Sequence, residues 1–282
     1  MSDRPASAAP GVEVVAHRGF AGRYPENTLA AFRAAARDAD AVELDVVATA
    51  DGDPVVFHDD RLGARERGGP TDASGVVWEA PTEVVTSAEV LDSGETVPTL
   101  AAVADAVPAD VGLNVELKNP GTPAIRPDEA LGGDDLVAAR ERWAPFVDRV
   151  LDDLADAPHG VRYSSFCEGA LAAVRARSDA AVAPLVRDDL RAGLTVAERY
   201  DAVAIHPPWD LVAGTPFAGA DAAPDSTPTV DVVTRAHDAG RTVAAWTVDT
   251  WYRADRLRAA GVDAIIADYP GLLDPLRGRR EA

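Results

Sequence analysis

The chain has 282 residues, 47 % of them hydrophobic, and a formal charge of −20 from 47 acidic against 27 basic side chains. That length is enough to bury a full core, while the charge argues against nucleic acid and stable membrane association, since anionic surfaces would repel it. Cys167 stands alone, which rules out an intrachain disulfide, and no apolar run approaches the roughly 18 residues of a membrane span. Lys118 is the one lysine in the chain, so nearly every cation is an arginine. Heavy acidity with almost no lysine points to a protein working in concentrated salt, where a short screening length tolerates self-repulsion, the alternative being an ordinary acidic soluble protein from a GC-rich genome. Residues 1–10 are polar and rich in Ala and Pro, without the apolar stretch of a signal peptide. They read as a disordered leader, and the protein as cytoplasmic.

Residues 11–16 form a β-rich run that ends in His17-Arg18-Gly19. A loop follows, then a helix opened by Asn27 or Thr28 as N-cap, with Leu29, Phe32 and Ala36 as its buried stripe. In the next strand Val42, Leu44 and Val46 alternate with Glu43 and Asp45. Side chains two apart share a face, so the two carboxylates project together, about 7 Å apart at Cα. Asp51-Gly52 is a hairpin signal; a turn centred there would set residue 45 opposite residue 58 and bring His58 to Asp45, unless Pro54 lengthens the turn. Residues 60–97 lack a clean period and read as an excursion, and Pro98-Thr99-Leu100 starts a second helix. Leu113, Val115 and Leu117 alternate with Asn114, Glu116 and Lys118 in a strand of the same design. Beyond a loop at 119–135, helices at 136–157, 168–177, 188–199, 229–239 and 251–260 alternate with strands at 161–166, 181–186, 201–206, 242–248 and 263–267.

Setting the hairpin return aside, eight strands alternate with helices, which implies parallel pairing through crossovers. Eight such units fit a closed (β/α)8 barrel better than an open sheet, and no Gly-x-Gly-x-x-Gly follows the first strand. The expected fold class is therefore a TIM barrel with a small insertion after the second strand and its hairpin. The expected organisation is one domain over 11–277, interrupted by the insertion at 60–97 and followed by a tail at 278–282.

Polar residues fall at the C-terminal ends of these strands, where barrel active sites form. Glu43, Asp45 and Glu116 offer three hard oxygen donors and no sulfur, a set that suits Mg²⁺ or Ca²⁺ better than zinc. A single strand-end carboxylate would more simply cap a helix or pair with arginine, but three interleaved into apolar strands need a cation. His17 and His58 end strands near these acids and can divide acid and base work near neutral pH. His159 and His237 read as structural, and His206 as either a site residue or a packed neighbour of Pro207-Pro208. Arg18 and Lys118 would bring cations to the same rim, either as charge balance or for an anionic substrate such as a phosphate. Glu26 lies in the loop after the first strand, Asn27 caps or contacts, and Trp246 either lines the pocket or packs in the core.

In this order, His17-Arg18-Gly19, Glu26-Asn27-Thr28, Glu43 and Asp45 with Thr49, Asp51-Gly52, His58-Asp59, Pro98-Thr99-Leu100, Glu116 with Lys118, Ser165-Phe166, Trp246-Thr247-Val248 and Asp268-Tyr269-Pro270 resemble the glycerophosphodiester phosphodiesterase family. The resemblance spans about residues 12–276. It implies a barrel with an insertion after the second unit, a divalent metal ion on Glu43, Asp45 and Glu116, and His17 and His58 as the acid–base pair. It further implies phosphate contacts from Arg18 and Lys118; Glu26 and Trp246 are candidate substrate contacts beside them. The expected reaction is hydrolysis of a small glycerophosphodiester to glycerol phosphate and an alcohol through a cyclic phosphate. Leu62-Gly63-Ala64-Arg65-Glu66, Asp249 and Ala267 depart from the family pattern and bear on substrate preference. The alternative is a related enzyme of lysophospholipase D or sphingomyelinase D type acting on lipid phosphodiesters. Trp209, Leu211, Val212 and Phe217 could form its apolar entry, but the charge and the lack of a basic amphipathic helix oppose it.

Overall fold

A computed structural model describes residues 11–63, 69–219 and 230–274. The expected leader at 1–10 and tail at 278–282 lie outside the described residues. Eight parallel strands form a ring: β1 (Glu13–Ala16), β2 (Ala41–Ala48), β4 (Gly112–Asn119), β5 (Val161–Ser165), β6 (Ala181–Pro184), β7 (Ala204–Ile205), β8 (Thr242–Val248) and β9 (Ala264–Ala267). Their order is β6-β5-β4-β2-β1-β9-β8-β7. The ring is brought together between β6 and β7 by a parallel bridge from Leu185 to His206, with the His206 amide donating to the Pro184 carbonyl at 2.9 Å. The short strand β3 (Pro54–Val56) pairs antiparallel with β2 outside this ring.

Alternation along the strands separates two cores. Val42, Leu44, Val46, Leu113, Val115 and Leu117 face outward and pack with Phe32, Leu100 and Trp143 of the surrounding helices. Inside the barrel, Val15, Ala41, Ala244, Ala264 and Ile266 form a small cluster against Trp246. Small interior side chains leave the barrel axis to the polar residues of β2, β4 and β5.

Helix α1 (Leu29–Ala35) is capped by Thr28, whose hydroxyl accepts the Ala31 amide at 3.2 Å. Its buried stripe is Ala31, Phe32 and Ala35. The short helix α2 (Thr82–Thr86) belongs to the excursion after β3, and α3 (Leu100–Ala106) is capped by Thr99. The remaining helices are α4 (Gly133–Asp153), α5 (Glu168–Arg175), α6 (Leu190–Arg199), α7 (Val232–Asp238) and α8 (Trp251–Ala259). Side-chain caps from Asp189, Asp231 and Thr250 start α6, α7 and α8; each such cap contributes about 1 kcal/mol.

Two expectations are corrected. Strand β7 holds two residues rather than the run 201–206: Asp201 is left-handed at φ 46° and cannot start the strand, and Pro207 and Pro208 carry no amide hydrogen to extend the ladder past His206. The hairpin after β2 does not turn on Asp51-Gly52 alone. Val46 pairs with Val56 and Ala48 with Pro54, so residue 45 lies opposite residue 57, and the Phe57 amide donates to the Asp45 carbonyl at 2.9 Å. Thr49 holds the longer turn, its hydroxyl accepting the Asp53 amide at 3.2 Å. Pro54 is the first paired residue of the return strand, which shifts the register by one.

The described part of 60–97 lies between β3 and α3. Leu62, Val77, Val85, Ala88, Val90 and Val97 form a separate apolar cluster that closes over Val47, Val55 and Phe57. This segment is thereby fastened to the outside of the β2–β3 hairpin.

Candidate active site

A cavity of about 220 Å³ opens at the C-terminal end of the barrel. Its lining includes His17, Arg18, Glu43, His58, Glu116, Lys118, Phe166, Arg187 and Trp246. The floor of one side is built by β2 and β4, whose parallel register sets Asp45 level with Glu116. Glu43, Asp45 and Glu116 are all buried, and each can offer a carboxylate oxygen within 4.8 Å of the other two.

The charge balance at this spot is incomplete. Burial, then Asp45 and Glu116, push the Glu43 carboxyl well above its ordinary range. Burial raises Glu116 too, against the pull of Lys118. Burial also acts to raise Asp45, but Lys118 and Arg18, with His58 and His17, outweigh it and hold that carboxyl below the usual range. Lys118 Nζ lies 3.1 Å from Glu116 and 3.5 Å from Asp45, and Arg18 Nε lies 3.1 Å from Asp45. Three carboxylates against two fixed cations leave one negative charge buried when all are ionised. An all-oxygen donor set with surplus negative charge fits a hard divalent cation.

The first turn after β1 positions Arg18. Residues His17–Gly19 form a 3-10 turn in which Arg18 adopts a left-handed backbone with φ 50°. This points the Arg18 amide at Glu43 Oε2, 3.0 Å away. Gly19 follows at φ 77°, and a Cβ there would stand 2.9 Å from the Ala31 Cβ, so glycine lets α1 approach the turn. The Arg18 guanidinium also donates to both Glu26 oxygens at 3.2 Å. Glu26 is not among the residues that line the cavity; it braces Arg18 from behind.

Each of the two cavity histidines has a carboxylate partner. His17 Nδ1 lies 2.7 Å from Asp268 and His58 Nδ1 lies 2.6 Å from Asp59. With Nδ1 engaged by a carboxylate, Nε2 is left to exchange a proton with a bound molecule. Although the register at Asp45 differs from expectation, His58 still reaches the cavity beside Glu116 and Lys118. Trp246 lines the opposite side, its indole Nε1 donating to the His206 carbonyl at 2.8 Å and its ring meeting Phe166 edge-on at 5.6 Å.

Asn27 does not cap α1. Its backbone is left-handed at φ 57°, and its side-chain amide donates to Asp45 Oδ2 at 2.9 Å. Asp59 and Asp268 stand in the sequence motifs, but nothing in their spacing assigns them to the histidines. The pairing of His17 with Asp268 spans almost the whole chain and exists only because β1 and β9 are neighbours. Arg187 and Leu185, beyond the end of β6, carry no sequence signal at all. His206 is fully buried behind Trp246, with neither ring nitrogen hydrogen-bonded among the described residues. Burial, with Arg162 nearby, pushes its pKa down to about 3, so it is a neutral interior residue.

Residues 17–272 match the family profile described as the glycerophosphoryl diester phosphodiesterase family. A Bacillus altitudinis protein named glycerophosphodiester phosphodiesterase is 36 % identical over 38 % of this chain and 45 % of its own length. The chain thus aligns with less than half the length of the first curated relatives it matches. One from Caldanaerobacter subterraneus with the same name is 29 % identical over 92 % of this chain and 95 % of that protein. Among solved structures, an Oleispira antarctica phosphodiesterase in complex with the product sn-glycerol-3-phosphate superposes with a TM-score of 0.71. It is 25 % identical, over 96 % of this chain and 97 % of that one.

Proposed function

The chain belongs to the glycerophosphoryl diester phosphodiesterase family, and from that premise we propose that it hydrolyses small glycerophosphodiesters to glycerol phosphate and an alcohol. The observation that carries this reading is one cavity wall on which two carboxylate-braced histidines and two cations stand with Glu43 and Glu116, which share a buried three-carboxylate cluster with Asp45 just beneath.

Glu43, Asp45 and Glu116 would hold one divalent ion, Mg²⁺ or Ca²⁺, whose chemistry is to draw charge from a substrate oxygen. Lys118 and Arg18 hold Asp45 below its usual range, Lys118 pulls against the burial that raises Glu116, and both cations present positive charge to the phosphoryl oxygens. One histidine takes the proton from the glycerol hydroxyl next to the phosphate, and that oxygen bonds to phosphorus. The bond from phosphorus to the alcohol oxygen breaks, and the second histidine gives that oxygen its proton. Water then opens the cyclic phosphate with the two histidines in exchanged roles, returning both to their starting protonation states. Asp268 and Asp59 fix which ring nitrogen faces the substrate and stabilise each imidazolium as it forms. Asn27 pins Asp45, and Glu26 pins Arg18.

The test is release of glycerol phosphate from glycerophosphocholine and glycerophosphoethanolamine in concentrated KCl, with Mg²⁺, Ca²⁺ or EDTA, beside His58→Ala. Metal-dependent release that disappears in the variant is the expected result. No release from folded protein under any metal would overturn the reading.

A further inference from the structure

The cavity has two unlike sides. Arg18 and Lys118 on the first are engaged by buried carboxylates. On the second side the described lining residues, Ser164, Phe166, Leu185, Arg187 and Trp246, include no acid. Arg187 is the guanidinium that lines the cavity without being tied to the buried acids. It lies over the Phe166 ring, 5.1 Å from the centroid. Its backbone amide donates to Asp128 Oδ1 at 3.0 Å, while its Nε stands 3.7 Å from Asp128 Oδ2, too far for a full hydrogen bond. Asp128 therefore anchors the main chain and makes a loose ion pair with the guanidinium, whose N–H groups donate no hydrogen bond among the described residues.

We propose that Arg187 selects the leaving alcohol, favouring glycerophosphodiesters whose alcohol carries an anionic group over those with a cationic head such as choline. This rests on the diester hydrolysis proposed above. With the glycerol hydroxyl beside the buried carboxylates, the alcohol beyond phosphorus extends toward the aromatic side. A quaternary ammonium is recognised by open aromatic faces and nearby acids. Here a cation already covers Phe166, and a second positive charge beside it is repelled. A phosphate or carboxylate on the alcohol instead meets a planar fork of donors matched to its oxygens.

The experiment compares kcat/KM, by substrate consumption, for glycerophosphocholine and for glycerophosphoglycerophosphate, whose leaving alcohol is itself a phosphate ester. Both are measured at the lowest KCl that keeps the protein folded, because salt screens an exposed charge. The wild type should favour the anionic diester by about tenfold, a difference of about 1.4 kcal/mol. Arg187→Gln should abolish that preference, Arg187→Glu should invert it, and Arg187→Lys should keep part of it. Because the readout is a ratio within each variant, a general loss of activity does not imitate the result. An unchanged ratio in both Arg187→Gln and Arg187→Glu would overturn the proposal. If the wild type consumed neither diester, the hydrolase reading itself would fail, and the assignment of Arg187 with it.

Discussion

The two sides of the barrel mouth are built from the same kind of strand end but do different physical work. On the side of β1, β2 and β4, the functional side chains are held by other charged groups, except Glu43, which accepts the Arg18 backbone amide. Glu26 grips Arg18, Arg18 and Lys118 grip Asp45, and Asp268 grips His17. On the side of β5, β6 and β8, Phe166, Trp246 and Leu185 offer shape and apolar surface, with Arg187 lying across the Phe166 ring. On the hydrolysis proposed above, the first side is where charge changes during reaction, so its groups must be oriented before substrate arrives. The second would receive the body of the leaving alcohol, beyond the bond that breaks. The difference teaches that substitutions on the two sides should fail in different ways.

The largest effect is expected at the carboxylates. Glu43→Gln, Asp45→Asn or Glu116→Gln should lower kcat by about 10³-fold or more, and added Mg²⁺ or Ca²⁺ should not restore it. Circular dichroism should show the barrel intact, since each replacement keeps the side-chain shape. Recovery of turnover at high metal concentration in all three would break the assignment.

Next come the histidine partners. Asp268→Asn should cost about 10²-fold in kcat with little change in KM, since a carboxamide cannot stabilise an imidazolium. Asp59→Asn should act in the same direction but less, because Asp59 is half exposed and water can stand in for it. Steady-state kinetics on one diester checks both, and equal losses would contradict the exposure argument.

Trp246→Ala sharpens the comparison from the other side. It should raise KM by about tenfold and lower kcat less, as expected for lost contact area rather than lost chemistry. A kcat loss as large as that of the carboxylate variants would erase the distinction between the two sides.

The smallest effect on turnover is expected at His206, which stands behind Trp246 and should report on stability instead. Its pKa falls from about 6.5 unfolded to about 3 in the fold. The unfolded chain therefore binds the extra proton between those values, and stability falls as pH drops through that window. Between pH 6.5 and pH 5 the loss from this one residue is about 2 kcal/mol. His206→Leu should flatten that limb of the denaturation profile, and an unaltered acid limb would contradict it.

Much of this was legible in the sequence for a physical reason. Alternation with period two announces a strand face, so Glu43 with Asp45, and Glu116 with Lys118, could be placed on the barrel interior without coordinates. The eight-unit alternation of strand and helix carried the fold. What spacing could not show were partners made by closure of the ring. The Asp268 contact to His17 depends on β9 lying beside β1, and Arg187 comes to the cavity through β6. The hairpin register is ambiguous in the sequence, because Asp51-Gly52 suggests a two-residue loop while Pro54 allows the longer turn that Thr49 holds in the structure. Asn27 could be read as a cap because capping residues and residues tolerating a left-handed backbone are the same few types; only its contact with Asp45 separates the two.

The most direct test of the central claim, that the charged side of the mouth is a divalent-cation site, is calorimetric titration of Mg²⁺ and of Ca²⁺ into EDTA-stripped protein and into Glu43→Gln, with glycerol phosphate release followed on the same samples. The account predicts saturable binding of one ion to the wild type, release that rises with occupancy, and loss of both in the variant. Undiminished release from stripped wild-type protein that binds neither ion would contradict it.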